Sequence, residues 1–241
     1  LVSGVMVAGV VIEKHEGTPQ GGPLSPLLAN VLLDEVDKEL EARGHAFVRY
    51  ADDGQVYVRS RRAGERVFAL LRRLFGKLRL RVNEKKSAIT TAAHCIFLGF
   101  SFWSGPGGEV RFRLSRKALD RMRDRVREIT GLNRGRSMTQ VVGELRSFLI
   151  GWRSYFRLAD TPRKMTELDG WIRRRLRALQ LKQWKRGKTA YRELRNRGAS
   201  ESLAARIAAN TGRWWRTSKL LLHHVLGNSY FDELGLPRLG R

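Results

Sequence analysis

Residues 46–59 read AFVRYADDGQVYVR, and this stretch sets two adjacent carboxylates, Asp52 and Asp53, between two runs rich in β-forming residues. Residues 47–50 and 55–58 are β-branched or aromatic at most positions, which is typical of short strands. An Asp-Gly pair between such runs is a strong signal for a tight hairpin. The stretch therefore predicts a β-hairpin that carries both carboxylates at its tip.

Helical spacing of apolar residues predicts helices on both sides of this hairpin. One helix is expected from Pro26 to about Ala42, and another over 62–78. Residues 80–91 and 95–103 have the composition of short strands. Three further amphipathic helices are predicted over 116–130, 137–158 and 161–181. The predicted fold class is α+β, in which an antiparallel sheet with packed helices precedes an all-helical region.

The charge of the chain is large and unevenly divided. Lys and Arg number 47 against 23 Asp and Glu, which gives a formal net charge of +24 and a pI near 11.4. Residues 1–110 hold 15 basic and 12 acidic side chains, whereas residues 111–241 hold 32 and 11. Such a surplus is typical of proteins that bind a polyanion, most often nucleic acid, with an acidic protein as the less favoured alternative. The division predicts a nearly neutral part for chemistry and a basic part that binds nucleic acid.

Two classes of protein are excluded by composition. The single cysteine, Cys95, leaves no disulfide framework and no zinc finger, and it indicates a reducing compartment. No apolar run approaches the roughly 20 residues that a membrane-spanning helix needs, so no membrane partner is expected.

Adjacent aspartates at a hairpin tip suit the chemistry of nucleotidyl transfer. That reaction uses two divalent cations to activate the attacking hydroxyl and to stabilise the leaving oxygens. Mg²⁺ prefers carboxylate oxygens and keeps water and substrate phosphate as its other ligands. Taken alone, however, Asp52-Asp53-Gly54 is more simply explained as a polar turn.

Four motifs together resemble the palm of reverse transcriptases. YADD at 50–53 resembles the metal-binding hairpin of that family, and GTPQGGPLSPLLAN at 17–30 resembles the loop and helix that line the nucleotide and template site. NEKKS at 83–87 and FLGF at 97–100 resemble the next two palm elements, the second being the primer-gripping hairpin. The sequences PLSPLLAN at 23–30, GWRSYF at 151–156 and WKRGK at 184–188 narrow the resemblance to group II intron reverse transcriptase/maturases. This resemblance covers essentially the whole chain.

The resemblance implies roles for individual residues. Asp52 and Asp53 would bind the catalytic Mg²⁺ ions, with Asp52 in direct coordination. The implied substrate-binding residues are Gln20, Gly21, Gly22, Tyr50, Ala51, Lys85, Lys86, Phe97, Leu98 and Gly99. Within this set Lys85 or Lys86 would contact the triphosphate, unless they are a solvated pair. Phe97, Leu98 and Gly99 would position the primer end, although core packing explains Phe97 equally well.

The same resemblance implies a third metal-binding aspartate. Residues 1–16 contain no Asp, and Glu13 and Glu16 lie too close to the Gly17 loop to replace it. The resemblance implies that an aspartate outside this chain completes the two-metal site, and an upstream polymerase half supplied as a separate chain is one source of it. We therefore expect the 241 residues alone not to polymerise DNA. Gly54 also departs from the family, which commonly has a bulky apolar residue there.

Arginine beside aromatic residues dominates the helices of the basic part. Guanidinium groups bind phosphate with two hydrogen bonds and stack on bases, and aromatic faces accept unpaired bases. The predicted nucleic-acid-binding residues are Arg121, Arg125, Arg153, Arg173, Arg174, Arg175, Lys185, Arg186, Lys188, Arg213 and Arg216. Core packing is the alternative for Trp152 and Trp171, which lie in the same segments.

These observations predict three domains: an incomplete palm over 1–112, a helical thumb or maturase domain over 113–182, and a basic nucleic-acid-binding segment over 183–241. The resemblance implies intron RNA, RNA/DNA hybrid and dNTP as partners, with target DNA as a further one, in the bacterial cytoplasm or on the nucleoid. The oligomeric state stays open. Two functions compete: an RNA-directed DNA polymerase, and a non-catalytic splicing cofactor that only binds intron RNA.

Overall fold

The computed structural model describes residues 3–7, 10–14, 24–132 and 135–240 of the chain. The chain forms two compact units, Leu1–Phe97 and Leu98–Arg241. Small antiparallel strand pairs and a larger number of helices make up the described residues, so the predicted α+β class is confirmed. Among the described residues, none of the helices combines the length and the apolar character needed to cross a bilayer.

The first unit alternates short strands with two long helices. Its elements are β1 (Ser3–Val7), β2 (Val10–Lys14), α1 (Ser25–Ala42), β3 (Ala46–Tyr50), β4 (Asp53–Tyr57), α2 (Arg61–Lys77) and β5 (Ile96–Phe97). Strands β1 and β2 pair antiparallel, and so do β3 and β4. The predicted helices over 26–42 and 62–78 are confirmed within one residue at each end.

The core of the first unit lies where α1 meets the β3–β4 hairpin and α2. Leu33, Val36 and Leu40 recur at helical spacing on α1 and are buried. Phe47, Val56 and four residues of the α2 region, Leu71, Leu74, Phe75 and Leu78, pack against them. This packing fixes the hairpin on the helix that precedes it in the chain.

The predicted strand over 80–91 is wrong. Its residues form a turn in which the carbonyl of Asn83 accepts hydrogen bonds from the amides of Lys86 (3.0 Å) and Ser87 (2.9 Å). Local amide-to-carbonyl bonds of this kind replace the ladder that a strand would need. The predicted strand over 95–103 divides into β5 and a second strand, because Leu98 and Gly99 between them have positive φ angles.

The second unit begins with a hairpin and continues with seven helices among the described residues. Its elements are β6 (Phe100–Ser104), β7 (Val110–Leu114), α3 (Arg116–Ile129), α4 (Met138–Tyr155), α5 (Pro162–Trp184), α6 (Gly187–Asn196), α7 (Glu201–Ala208), α8 (Trp214–Leu220) and α9 (Asn228–Glu233). Ser115 and Ser137 cap α3 and α4 by accepting a hydrogen bond from the backbone amide of the third residue of each helix. The three predicted helices of this region are confirmed.

One continuous hydrophobic core holds the second unit together. It extends along the chain from Leu114 to Leu239, and Ile172 and Leu176 of α5 lie fully buried within it. Phe100 of β6 packs against this core beside Phe156, with ring centroids 5.1 Å apart. Residues on both sides of 112 and of 183 share the core, and the three-domain division remains a prediction.

An ion-pair network attaches the C-terminal residues to α5. Arg173 is 2 % exposed and donates to Asp169 and to Asp232, at 3.1 Å in each case. Arg238 donates to Asp232 as well, and the amide of Leu239 donates to Asp169 at 2.9 Å. The hydrogen bond from Arg238 is the main cause that lowers the pKa of Asp232; burial opposes it, and the hydrogen bond from Arg173 adds a smaller lowering effect. Ion pairs and hydrogen bonds therefore hold residues 232–239 against the middle of α5.

Candidate active site and nucleic-acid-binding surface

The β3–β4 hairpin places its turn at Ala51-Asp52. Tyr50 pairs with Asp53 across the ladder, so Asp53 is the first residue of β4 and Gly54 lies opposite Arg49. Ala51 has a φ of +53°, a value that a two-residue hairpin turn requires and that a residue with a Cβ adopts only at a cost. The hairpin itself is confirmed, but the prediction of an Asp-Gly turn is wrong by two residues.

Arg49 connects this turn to α1. Its Nε and Nη2 donate to the carboxylate of Asp37 at 2.9 and 2.5 Å, and both side chains are less than one-fifth exposed. Its Nη1 donates to the side-chain oxygen of Asn30 at 2.8 Å and to the carbonyl of Ala51 at 3.0 Å. The hydrogen bond with Asp37 raises the pKa of the Arg49 guanidinium. One planar side chain therefore holds the strained turn residue against the helix.

The two carboxylates of the turn have no partners within the part of the chain that the structure describes. Asp52 and Asp53 are exposed, and neither accepts a hydrogen bond or forms an ion pair there. Their hard oxygens suit Mg²⁺, which proteins often hold through one or two carboxylates together with substrate phosphate. The described residues contain no group of three or more acidic, His or Cys side chains that could enclose a metal ion.

The remaining substrate-binding candidates are distributed over the first unit and the start of the second. Gln20, Gly21 and Gly22 lie outside the described residues. Tyr50 is 62 % exposed beside the turn, and Ala51 forms the turn itself. Lys85 and Lys86 are exposed in the turn that begins at Asn83. Phe97 is half-buried at the end of β5.

Leu98 and Gly99 form a tight connection at the start of the second unit. The carbonyl of Leu98 accepts a hydrogen bond from the hydroxyl of Tyr155 at 3.1 Å, and the carbonyl of Gly99 accepts one from the amide of Ser115 at 2.9 Å. Gly99 has a φ of +85°, and a Cβ there would lie 3.0 Å from the Phe156 ring. Glycine is therefore required at 99 by both backbone geometry and packing.

The predicted nucleic-acid-binding residues fall into two groups. Six of them have exposed side chains that form no hydrogen bond, ion pair or ring contact among the described residues: Arg121, Lys185, Arg186, Lys188, Arg213 and Arg216. The other five have intramolecular partners. Arg125 pairs with Glu128 at 2.6 Å, which raises its pKa, and Arg153 donates to the carbonyl of Arg238 at 2.9 Å.

The three side chains of the run Arg173-Arg174-Arg175 have partners within the fold. Arg173 is buried in the ion-pair network of the C-terminal residues, and its assignment to the nucleic-acid surface is therefore withdrawn. Arg174 stacks on Trp215 with its guanidinium carbon 3.9 Å from the ring centroid. Arg175 donates to the hydroxyl of Thr130 at 2.7 Å and lies near the ring of Trp171, and burial lowers its pKa.

Two features of the basic part were not found from sequence. Arg177 is 8 % exposed and donates to the carbonyl of Leu226 at 2.7 Å, and burial, followed by the nearby charge of Arg173, lowers its pKa to about 10. A groove of about 570 Å³ on α6 is lined by Arg186, Lys188, Tyr191, Arg192 and Arg195. Basic residues at 188, 192 and 195 keep helical spacing, which is the signal that would have predicted it.

Two family models match separate segments of the chain. The model for "Reverse transcriptase (RNA-dependent DNA polymerase)" matches residues 8–102, which include the β3–β4 hairpin with its two carboxylates. The model for "Group II intron, maturase-specific domain" matches residues 119–198, which include α4, α5 and α6. A comparison with curated proteins gives no match. The order of the two matches and the geometry of the hairpin agree: the chain belongs to the group II intron reverse transcriptase/maturases.

Proposed function

We propose that this chain provides the metal-binding hairpin and the RNA-binding helices of an enzyme that synthesises DNA on an RNA template. The observation that carries the proposal is the turn at Ala51-Asp52, where Arg49 fastens the backbone and both aspartates are left without partners. Two exposed carboxylates without partners among the described residues leave their oxygens available to a bound cation. Their placement on a strained but supported turn favours a functional site over a simple polar turn.

Asp52 and Asp53 would hold Mg²⁺, with Asp52 the direct ligand. When bound, Mg²⁺ supplies the charge that stabilises the attacking and leaving oxygens of phosphoryl transfer. Arg49 keeps the turn in place through Asp37 and the Ala51 carbonyl, so that the carboxylates do not rearrange when substrate arrives. We propose that a further aspartate, from outside the 241 residues, completes the two-metal site, because the described residues contain no third carboxylate at this turn.

The further substrate contacts that we propose are those of the primer and the nucleotide. Lys85 or Lys86 would contact the triphosphate, since both ammonium groups are exposed. Leu98 and Gly99 would support the primer end, and their backbone is fixed by hydrogen bonds from Tyr155 and Ser115. Gln20, Gly21 and Gly22 would shape the nucleotide pocket.

The second unit would bind intron RNA through its exposed cations. Lys185, Arg186 and Lys188 surround the start of α6, where the basic groove of about 570 Å³ lies. Arg213 and Arg216 form a second exposed pair at α8. Free guanidinium and ammonium groups at these positions suit phosphate oxygens, and their binding to RNA should weaken steeply with added salt.

Primer extension on an RNA template with Mg²⁺ tests the polymerase proposal. The chain would be assayed alone and after fusion to an upstream reverse transcriptase half that supplies the missing aspartate. We expect DNA only from the fusion, and none when Asp52→Ala and Asp53→Ala are introduced together. Asp34→Ala is the matched control, because Asp34 is an exposed aspartate of α1 that pairs with Lys38.

Two results would change the proposal. DNA synthesis that survives the double substitution would remove the carboxylates from the catalytic site. If the fusion makes no DNA while the chain still binds intron RNA tightly, the splicing-cofactor function replaces the polymerase function.

A further inference from the structure

Helix α2 carries more positive charge than the whole of the nearly neutral part in which it lies. Between Arg61 and Lys77 it holds six basic side chains and one acidic side chain, a surplus of five. Residues 1–110 together hold 15 basic and 12 acidic side chains, a surplus of only three. The excess positive charge of this part of the chain is therefore confined to one helix.

The six cations lie in two stripes on α2, and only one stripe is neutralised. Arg61 pairs with Glu65 at 3.3 Å, and Arg72 pairs with Glu84 at 2.8 Å. The other four, which we call the free stripe, are Arg62, Arg66, Arg73 and Lys77. Steps of four, seven and four residues at 3.6 residues per turn keep the free stripe within an arc of about 60° over about 22 Å. All four side chains are exposed, and within the described chain none of them forms a hydrogen bond, an ion pair or a ring contact.

A groove of about 580 Å³ runs beside the middle of the free stripe. Arg66 and Arg73 line one wall, and the half-buried His45 contributes from the segment that precedes β3. Ala69 lies between the two arginines on the helix, and its small side chain leaves the space between them open. Val67 in the floor is only 7 % exposed. The groove therefore presents free guanidinium groups and no large exposed apolar anchor among its lining residues.

This surface is separate from the carboxylate turn. His45 immediately precedes β3, whereas the turn follows the last residue of that strand. Five residues of strand separate the two by roughly 16 Å. The cations here cannot be the ones that neutralise Asp52 and Asp53.

We propose that the free stripe and its groove bind the sugar–phosphate backbone of RNA, as a second contact surface of the chain. A linear row of unneutralised cations on a straight helix suits a linear polyanion, and arginine forks donate two hydrogen bonds to a phosphate. The apolar lining of the groove consists of Ala63, Val67, Ala69 and Leu70, of which none is aromatic and none is a large exposed side chain. It therefore lacks the aromatic anchors that dominate binding of protein partners. The choice of RNA over DNA rests on the proposed function, whereas the choice of a phosphate backbone rests on the free stripe alone.

The test compares two double variants of the full chain that remove the same charge from the same helix. Arg66→Gln with Arg73→Gln removes two cations of the free stripe, and Arg61→Gln with Arg72→Gln removes the two paired ones. Binding of a structured RNA would be measured by fluorescence anisotropy across a salt series. We expect the first variant to bind on the order of tenfold more weakly near 0.1 M salt and to reduce the salt slope by about 1.5, at about 0.7–0.9 per lost phosphate contact. The paired-stripe variant should stay within about twofold of the wild-type chain.

Charge-retaining substitutions separate a phosphate contact from a folding effect. Arg66→Lys with Arg73→Lys should recover most of the salt slope but not all of the affinity, because lysine binds phosphate as a point charge. Thermal unfolding of all three variants should agree with that of the wild-type chain, since every substituted residue is exposed.

Several outcomes would overturn the inference. Equal losses in both Gln variants would mean that only net charge matters, and no loss in either would mean that RNA does not touch α2. A loss confined to duplex DNA, or to binding of poly-glutamate as an acidic protein mimic, would assign the surface to another partner. A wild-type chain that binds no RNA would instead refute the proposed function, whereas wild-type binding with unaltered variants refutes this inference alone.

Discussion

At the scale of single residues, Arg49 joins the carboxylate turn to α1 through three different acceptors. Its one guanidinium donates to Asp37, to Asn30 and to the carbonyl of Ala51. Lysine keeps the charge but cannot reach three acceptors at once. Arg49→Lys should therefore lower the free energy of unfolding by about 1–3 kcal/mol, the range for a charged hydrogen bond whose partner is left unsatisfied. It should also reduce primer extension by the fusion protein.

The control for this prediction is Arg43→Lys. Arg43 pairs with Glu39 on the surface of α1, where both side chains are more than one-third exposed. Exposed pairs contribute at most about 1 kcal/mol, and lysine preserves the charge. Urea unfolding measures the free energy of unfolding of both variants. Equal decreases would show that the three hydrogen bonds of Arg49 do not stabilise the turn.

Asp232 makes stability depend on pH at the same scale. Hydrogen bonds from Arg238 and Arg173 lower its folded-state pKa below the ordinary value of 3.8. Its contribution is therefore present above that value and is lost as pH falls through the lower folded-state pKa. Asp232→Asn should unfold at lower urea concentration than the wild-type chain at pH 7, and the difference should shrink below about pH 3.8. Glu167→Gln, which alters an exposed pair with Lys164, should show little difference at either pH.

At the scale of elements, the connection before β6 depends on a glycine. A Cβ at Gly99 would approach the Phe156 ring to 3.0 Å at a φ of +85°, whereas Gly107 has a φ of +83° with nothing within 4 Å of its added Cβ. Gly107→Ala should cost only the backbone strain, about 1–2 kcal/mol. Gly99→Ala should cost about 1–3 kcal/mol more, because the ring must move. Chemical denaturation of the two variants measures the difference, and equal costs would mean that Phe156 yields freely.

The elements also separate what local sequence predicts from what it does not. Helical spacing gave α1 to α5, and the two β-rich runs gave the hairpin. The turn position was missed because the positive φ falls on Ala51, whose carbonyl is held by Arg49, and not on the glycine that usually adopts it. Arg173 was assigned to the surface although one of its partners, Asp169, lies only four residues before it in the same helix. Its second partner, Asp232, is 59 residues away in the chain, and pairing at that distance leaves no local signal of burial.

At the scale of the whole molecule, the +24 charge divides into cations that hold the fold and cations that face solvent. Arg173 belongs to the first kind, because it is buried between Asp169 and Asp232. Arg213 and Arg216 belong to the second, because they are exposed and unpaired within the described chain. Total charge alone would assign all three to nucleic acid. Their burial and pairing predict instead that loss of Arg173 lowers stability, whereas loss of Arg213 and Arg216 lowers RNA affinity.

Stability and RNA affinity measured together test this division. Arg173→Gln should lower the free energy of unfolding by about 1–3 kcal/mol, because it removes a buried guanidinium that donates to both Asp169 and Asp232, although Asp232 keeps its pair with Arg238. RNA affinity of the protein that remains folded should stay unchanged. Arg213→Gln with Arg216→Gln should leave stability within about 0.5 kcal/mol and reduce the salt slope of RNA binding by about 1.5. If Arg173→Gln instead weakens RNA binding without loss of stability, the guanidinium must leave its two carboxylates for phosphate, and the C-terminal residues must then detach from α5 when RNA binds.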